Sequence, residues 1–171
     1  MQLLKGKNII LRALEPEDID LLYNWENDTN IWHISNTVSP FSRYLLEQYV
    51  FGNQDIFANK QLRLIIESAQ KAVGCVDIFD FDPLNRKAGV GILITEEFRK
   101  KGYASEALDV LLRYCFNALN LHQLYCSVLT DNEDSLNLFT SKGFTVCGLR
   151  KDWVLINSIW KDEYFLQKIN I

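Results

Sequence analysis

From Ala104 to Leu119 the apolar residues Ala104, Ala107, Leu108, Leu111, Leu112, Cys115 and Leu119 recur at i, i+3 and i+4. That period predicts a long helix with one face buried. Directly before it stand the apolar run Ile92-Leu93-Ile94, the polar turn Thr95-Glu96-Glu97-Phe98, and the basic stretch Arg99-Lys100-Lys101-Gly102-Tyr103. The order is strand, basic loop with one glycine, helix. A chain built around this unit must lay the helix on a sheet that contains the strand.

The flanking patterns extend that sheet. Asn8–Leu14 reads as a strand, and Pro16-Glu17-Asp18 opens a helix that runs to about Asn27, since proline suits the first turn and carboxylates there favour the helix dipole. Asp28–Ser42 reads as a long loop, and Arg43–Phe57 as helical. Leu62–Glu67, Val73–Phe81 and Ala88–Thr95 follow as strands joined by short turns, and so read as antiparallel neighbours. Beyond the long helix come a strand at Gln123–Thr130, a short helix at Asn132–Lys142 ended by Gly143, and a final strand pair at Phe144–Leu155 and Ile159–Ile169. The expectation is one mixed α/β (α+β) domain over residues 1–171.

Composition narrows the function. A net charge of −4 without a run of five or more basic residues argues against nucleic acid or an anionic membrane surface as partner. No stretch approaches the ~20 apolar residues of a membrane span, and the start reaches Lys5 and Gly6 before any leader-like apolar run, so a cytoplasmic protein is expected. Cys75, Cys115, Cys126 and Cys147 sit in apolar runs without a CxxC pair, and His33 and His122 lack ligand spacing, so reduced core thiols and no metal are expected.

The basic loop carries the chemistry. A helix N-terminus offers unpaired N–H groups and partial positive charge, and Gly102 and Ala104 let the backbone come close to phosphate oxygens. Arg99-Lys100-Lys101-Gly102-Tyr103-Ala104 also resembles the acetyl-coenzyme A motif of the GNAT superfamily of N-acetyltransferases: Arg or Gln, two residues, Gly, one residue, Gly or Ala. A second match follows in the family's order, with Leu124–Leu129, then Asn132-Glu133-Asp134-Ser135, then Lys142-Gly143-Phe144. The likeness covers essentially the whole chain, from Leu11–Asp18 and Asn24–Asp28 onward, and looks closest to spermidine and ribosomal-protein-alanine acetyltransferases.

The resemblance implies a largely antiparallel sheet of six to seven strands, splayed between the fourth and fifth, with about four helices. It implies acetyl-coenzyme A as cosubstrate, with the pantetheine arm bonded to backbone at Ile92, Leu93 and Ile94 and the pyrophosphate at Arg99, Lys100, Lys101, Gly102, Tyr103, Ala104 and Ser105. Gly89 and Gly91 then mark a bulge that opens the gap. Asn132 either caps the short helix or bonds the pantetheine. The tyrosine that many relatives place on that helix corresponds to Phe139, which lines the cofactor site here but donates no proton, so Ser135 is the candidate donor to the leaving thiolate.

Asp77 and Asp80 align with acidic residues near the cationic substrate of the spermidine enzymes. Asp77, with Glu97 as another possibility, is a candidate base, and strand alternation puts Asp77 and Asp80 on one face only if a bulge intervenes. Two family acidic positions are lost, in the first loop at Ser35-Asn36-Thr37 and on the next strand at Gly89. The expected acceptor is a small amine or polyamine; a peptide N-terminus, or a non-catalytic coenzyme A-binding role, are the competing readings. Trp153 and Trp160 on the last strand pair serve either a homodimer interface or the core.

Overall fold

The computed structural model describes residues 3–35 and 37–171, with Ile34 described by its backbone alone. Seven strands form one sheet: β1 (Ile10–Arg12), β2 (Leu62–Ser68), β3 (Lys71–Asp82), β4 (Lys87–Ile94), β5 (Gln123–Leu129), β6 (Thr145–Ile156) and β7 (Ile159–Ile169), in the spatial order β1-β2-β3-β4-β5-β7-β6. Every pairing is antiparallel except β4 with β5. Four helices have eight residues or more: α1 (Ile19–Glu26), α3 (Arg43–Phe51), α5 (Tyr103–Asn117) and α6 (Glu133–Ser141). Two single-turn helices, α2 (Trp32–Ser35) and α4 (Ile56–Asn59), complete the set.

The expected helix over Arg43–Phe57 breaks at Gly52, which leaves the helical region after α3, and Asp55 restarts α4 by accepting the Phe57 N–H. Of the expected strand Asn8–Leu14, only Ile10–Arg12 pairs. Among the described residues no helix is long and apolar enough to cross a membrane.

Strand alternation sorts the core into two layers. Val76, Ile78, Ala88, Val90, Leu124 and Cys126 turn toward α5, where Leu108 and Leu111 are wholly buried. Each such leucine contributes roughly 1.5–3 kcal/mol through the apolar area taken from water. On the opposite face, Ile65 and Cys75 meet Leu22 and Trp25 of α1 and Leu46 and Val50 of α3. Burial pushes the thiols of Cys75, Cys115 and Cys126 up to about 12, so these three are inert core groups as expected. Cys147 differs: it is exposed on β6.

The tryptophans of the last strand pair are also outside the core, with Trp153 58% and Trp160 57% exposed. α1 and α3 pack over the β1–β3 part of their face, with Leu93 of β4 at the margin of the cluster.

Candidate active site

β4 and β5 pair in parallel through Lys87↔Gln123, Ala88↔Leu124 and Gly89↔Tyr125, and then part. Five residues of β4, Val90 to Ile94, run on beside β3 alone while β5 runs on with β7. The result is a V-shaped cleft between the fourth and fifth strands. Thr95 donates its N–H to the Val73 carbonyl on β3 at 3.0 Å. Residues two apart share an edge, so Leu93 and Gly91 also face β3, and Val90, Ile92 and Ile94 turn their peptide groups to the cleft. Of the expected backbone contacts Ile92 and Ile94 are thus on the open edge, and Leu93 is not. The Ile94 carbonyl is already engaged, by Arg99 Nε at 3.1 Å.

The expected bulge is on the neighbouring strand. It lies in β3, between Phe79 and Asp82, where two residues stand against one of β4. Gly89 has a different use: a Cβ there would lie 2.2 Å from the Phe79 ring, so the missing side chain makes room for phenylalanine at the root of the V.

At the mouth of the cleft the basic turn leads into α5. Arg99 is extended, while Lys100 (φ 59°) and Gly102 (φ 84°) are left-handed, and Gly102 is the N-cap from which the chain enters α5. The N–H groups of Tyr103, Ala104 and Ser105 have no carbonyl four residues back within the helix. Two of the basic side chains are used internally: Arg99 on the Ile94 carbonyl, and Lys101 Nζ on the Glu97 carbonyl at 2.8 Å, over the Phe98 ring. Backbone amides, more than free side-chain cations, line this turn. A solvent-open cleft of about 580 Å³ adjoins the turn on the β1–β2 side, between Asn8, Ser68, Gly102 and Glu106.

On the other wall, Asn132 caps α6 by accepting the Ser135 N–H at 3.1 Å, which realises the first of its two readings and leaves its amide N–H groups without a partner among the described residues. The Ser135 hydroxyl is half-buried and makes no hydrogen bond among the described residues. Phe139 is 5% exposed and edge-on to Phe144 at 5.1 Å, so it belongs to the core more than to the cleft lining expected of it.

Asp77, the expected candidate base, is not a free carboxylate. Arg63, directly opposite it on β2, forks onto it with Nε–Oδ1 2.7 Å and Nη2–Oδ2 3.0 Å, and also bridges to Glu26 of α1. Burial works against the Arg63 charge, yet Asp77 and Glu26 outweigh it and the guanidinium is held protonated beyond its ordinary range. Asp80 has no such cation among the described residues. The β3 bulge and its left-handed backbone (φ 49°) swing it to the Asp77 face, where it is exposed and accepts the Tyr125 hydroxyl at 3.0 Å. Glu97 stands in the turn before Arg99, at the opposite end of β4 from this group.

The long first loop closes over this face. Asn27 pairs in both directions with the Phe41 backbone, at 2.8 and 3.0 Å, and Trp32 Nε1 donates to the Glu26 carbonyl at 2.8 Å. Of the stretch Ser35-Asn36-Thr37, Asn36 lies outside the described residues.

Sequence reasoning missed Arg63, Glu26 and Tyr125. Arg63 had a signal, a lone cation inside the apolar strand Leu62-Arg63-Leu64-Ile65-Ile66. Its partner depends on register, which a strand sequence does not state.

A sheet splayed beside a glycine-capped basic turn defines an acyl-transferring fold, and the family comparison agrees. The acetyltransferase (GNAT) domain model matches residues 8–145, and the chain belongs to this family of acyltransferases. Among curated relatives, spermidine N(1)-acetyltransferase of Vibrio cholerae is 31% identical over 168 residues, 95% of each chain. The enzyme of the same name from Escherichia coli K12 is 25% identical over 155 residues, 91% of this chain and 82% of the relative. Among solved structures, the Vibrio cholerae enzyme in complex with CoA and spermine superposes with a TM-score of 0.87 at 28% identity, covering 96% of both chains.

Proposed function

We propose that this chain transfers the acetyl group of acetyl-coenzyme A directly to a primary amine of a polyamine such as spermidine. The observation that carries this reading is the parting of β4 and β5 after Gly89↔Tyr125, with the amide-lined turn Arg99–Ser105 at its mouth. The pyrophosphate would sit on that turn, and the pantetheine arm would bond the Ile92 peptide as an added strand. The thioester then lies toward the apex, where a cleft-facing N–H of β4 meets the developing oxyanion.

The acceptor approaches over the sheet face that carries Asp77 and Asp80. Four carboxylates, Glu26, Asp77, Asp80 and Glu163, share it with Arg63 and Arg150, and Asp80 alone of the four has no ion-pair partner among the described residues. A net acidic face draws a polycation and raises its local concentration. The relatives' substrate, named in the spermidine acetyltransferases above, has that character. Ser135 supplies the proton to the leaving thiolate, a modest requirement because a thiol pKa near ~8.5 makes it a tolerable leaving group.

The test is release of free thiol from acetyl-coenzyme A with spermidine, spermine, monoamines and alanine-starting peptides as acceptors. Turnover greatest with polyamines is expected. Preference for peptides, or tight coenzyme A binding without turnover, would replace this reading with peptide acetylation or a non-catalytic role.

Self-association belongs to the same proposal. The β6–β7 hairpin exposes Trp153, Leu155, Ile159 and Trp160 beside a free β6 edge, and the Vibrio cholerae spermidine N-acetyltransferase, 27% identical with a TM-score of 0.79, has a dodecameric structure. Trp160→Glu is expected to lower the sedimenting mass relative to wild type, and an unchanged mass would clear this hairpin of an interface role.

A further inference from the structure

With Asp77 tied to Arg63 and Phe139 in the core, the site still needs a group to take the proton of the incoming ammonium. Tyr125 is the last residue of β5 paired across to β4, so its side chain stands at the apex of the V. Its ring projects to the face away from α5, edge-on to Phe79 at 6.0 Å and tilted on Phe165 at 5.3 Å. Its hydroxyl donates to Asp80 Oδ2 at 3.0 Å. The β-bulge that carries Asp80 there holds a non-glycine residue in the left-handed region, a conformation that costs free energy and persists only where the surroundings enforce it.

We infer that Tyr125 and Asp80 form the proton relay for the acceptor amine. The inference rests on the thioester lying toward the cleft apex, as proposed above. An ammonium proton passes to the Tyr125 oxygen while the phenol's own proton passes to Asp80. The freed nitrogen lone pair forms the C–N bond to the thioester carbonyl carbon, and the C–S bond breaks as the tetrahedral adduct collapses. The departing thiolate gains a second nitrogen proton, handed on through Ser135 or solvent. Asp80, being exposed, returns its proton to water. In sum, one ammonium and one thioester give one amide, one thiol and one proton in solution.

The surroundings suit a relay and do not suit a phenolate. Burial, reinforced by the Asp80 carboxylate, pushes the phenol up to about 12, so it stays protonated through the neutral range. The charged groups facing it are Asp80 from β3 and Arg150 from β6. Arg150 acts in the opposite sense, but it is stacked on Phe165 at 4.7 Å and bridged to Glu163 of β7 at 2.9 Å. Tyr125 touches the amine and is the catalytic residue; Asp80 acts through it.

The experiment compares the wild-type chain with Tyr125→Phe and Asp80→Asn, using spermidine and a weakly basic primary amine that is already neutral at the assay pH, across pH 6.5 to about 9.5. Acetyl-coenzyme A affinity is measured separately by titration calorimetry. Removing the relay should lower kcat for spermidine about a hundredfold near neutral pH and leave cofactor affinity unchanged. That loss should shrink as pH rises, and largely vanish with the weakly basic amine. Asp80→Asn should show the same pattern at smaller amplitude, which serves if Tyr125→Phe fails to fold. A loss that is equal for both amines and flat in pH, or no loss, would overturn the relay. A wild-type chain that binds acetyl-coenzyme A yet acetylates neither amine would overturn the relay together with the polyamine reading, and is distinguished by the wild-type arm alone.

Discussion

Gly102→Asp is expected to weaken acetyl-coenzyme A binding about a hundredfold while the protein stays folded. Gly102 is the N-cap of α5 at φ 84°, and a Cβ added there meets nothing within 4 Å. Aspartate tolerates the left-handed region better than most side chains, and its charge favours a helix N-terminus, so the roughly 1 kcal/mol of backbone strain is partly offset. The same carboxylate stands beside the first amides of α5, against the incoming pyrophosphate. Like charges brought together at a binding site cost several kcal/mol. About 2.7 kcal/mol corresponds to the hundredfold loss. Gly102→Ala, with the strain and without the charge, should bind within a fewfold of wild type. Calorimetric titration of both variants decides it: equal affinity for Gly102→Asp and Gly102→Ala would move the pyrophosphate away from this turn.

Asp18→Ala carries the largest expected loss of stability, about 2–3 kcal/mol, the usual scale for losing hydrogen bonds to a charged group, here a buried carboxylate on a partly exposed arginine. Asp18 is 5% exposed and takes both arms of the Arg12 guanidinium, at 2.7 and 2.9 Å, together with the Glu15 N–H at 2.9 Å. Arg12 reaches on to Glu67 of β2 at 2.5 Å, so the variant takes one of two carboxylates from a cation that joins β1, β2 and the start of α1. Burial by itself raises the Asp18 carboxyl, but the Arg12 hydrogen bonds and the Glu15 N–H outweigh it and hold the group below the usual carboxylate range.

Because the folded pKa is depressed, the stabilisation is fully present above the unfolded value, near ~3.9, and is lost as pH falls through the folded one. Denaturant unfolding from neutral pH down into that acid range should show wild type losing an increment of stability that the variant has already lost. Parallel acid limbs for the two proteins would show that the pair contributes nothing to acid stability.

Residues with a local reason for their conformation were legible in advance. The long helix follows from its i, i+3, i+4 stripe, its start from Gly102, and the cap of α6 from Asn132 preceding Glu133 and Asp134. The motif Arg99–Ala104 is likewise contiguous backbone, so its spacing carries its geometry. The carboxylates were harder to read. Asp77 and Asp80 look alike along the chain, yet one is neutralised by a residue fourteen positions earlier and the other is freed by a bulge that alternation does not announce.

The sequence by itself determined the element order, the basic glycine-capped turn before the long helix and the family, because helix period, strand alternation and a contiguous loop are set by near neighbours. Only the tertiary structure decided which carboxylate faces a cation, where β4 and β5 part, and that Tyr125 meets Asp80 at that point. Those outcomes depend on strand register and on a bulge, and register arises from pairing between segments distant in the chain, where a shift of one residue reverses every side chain.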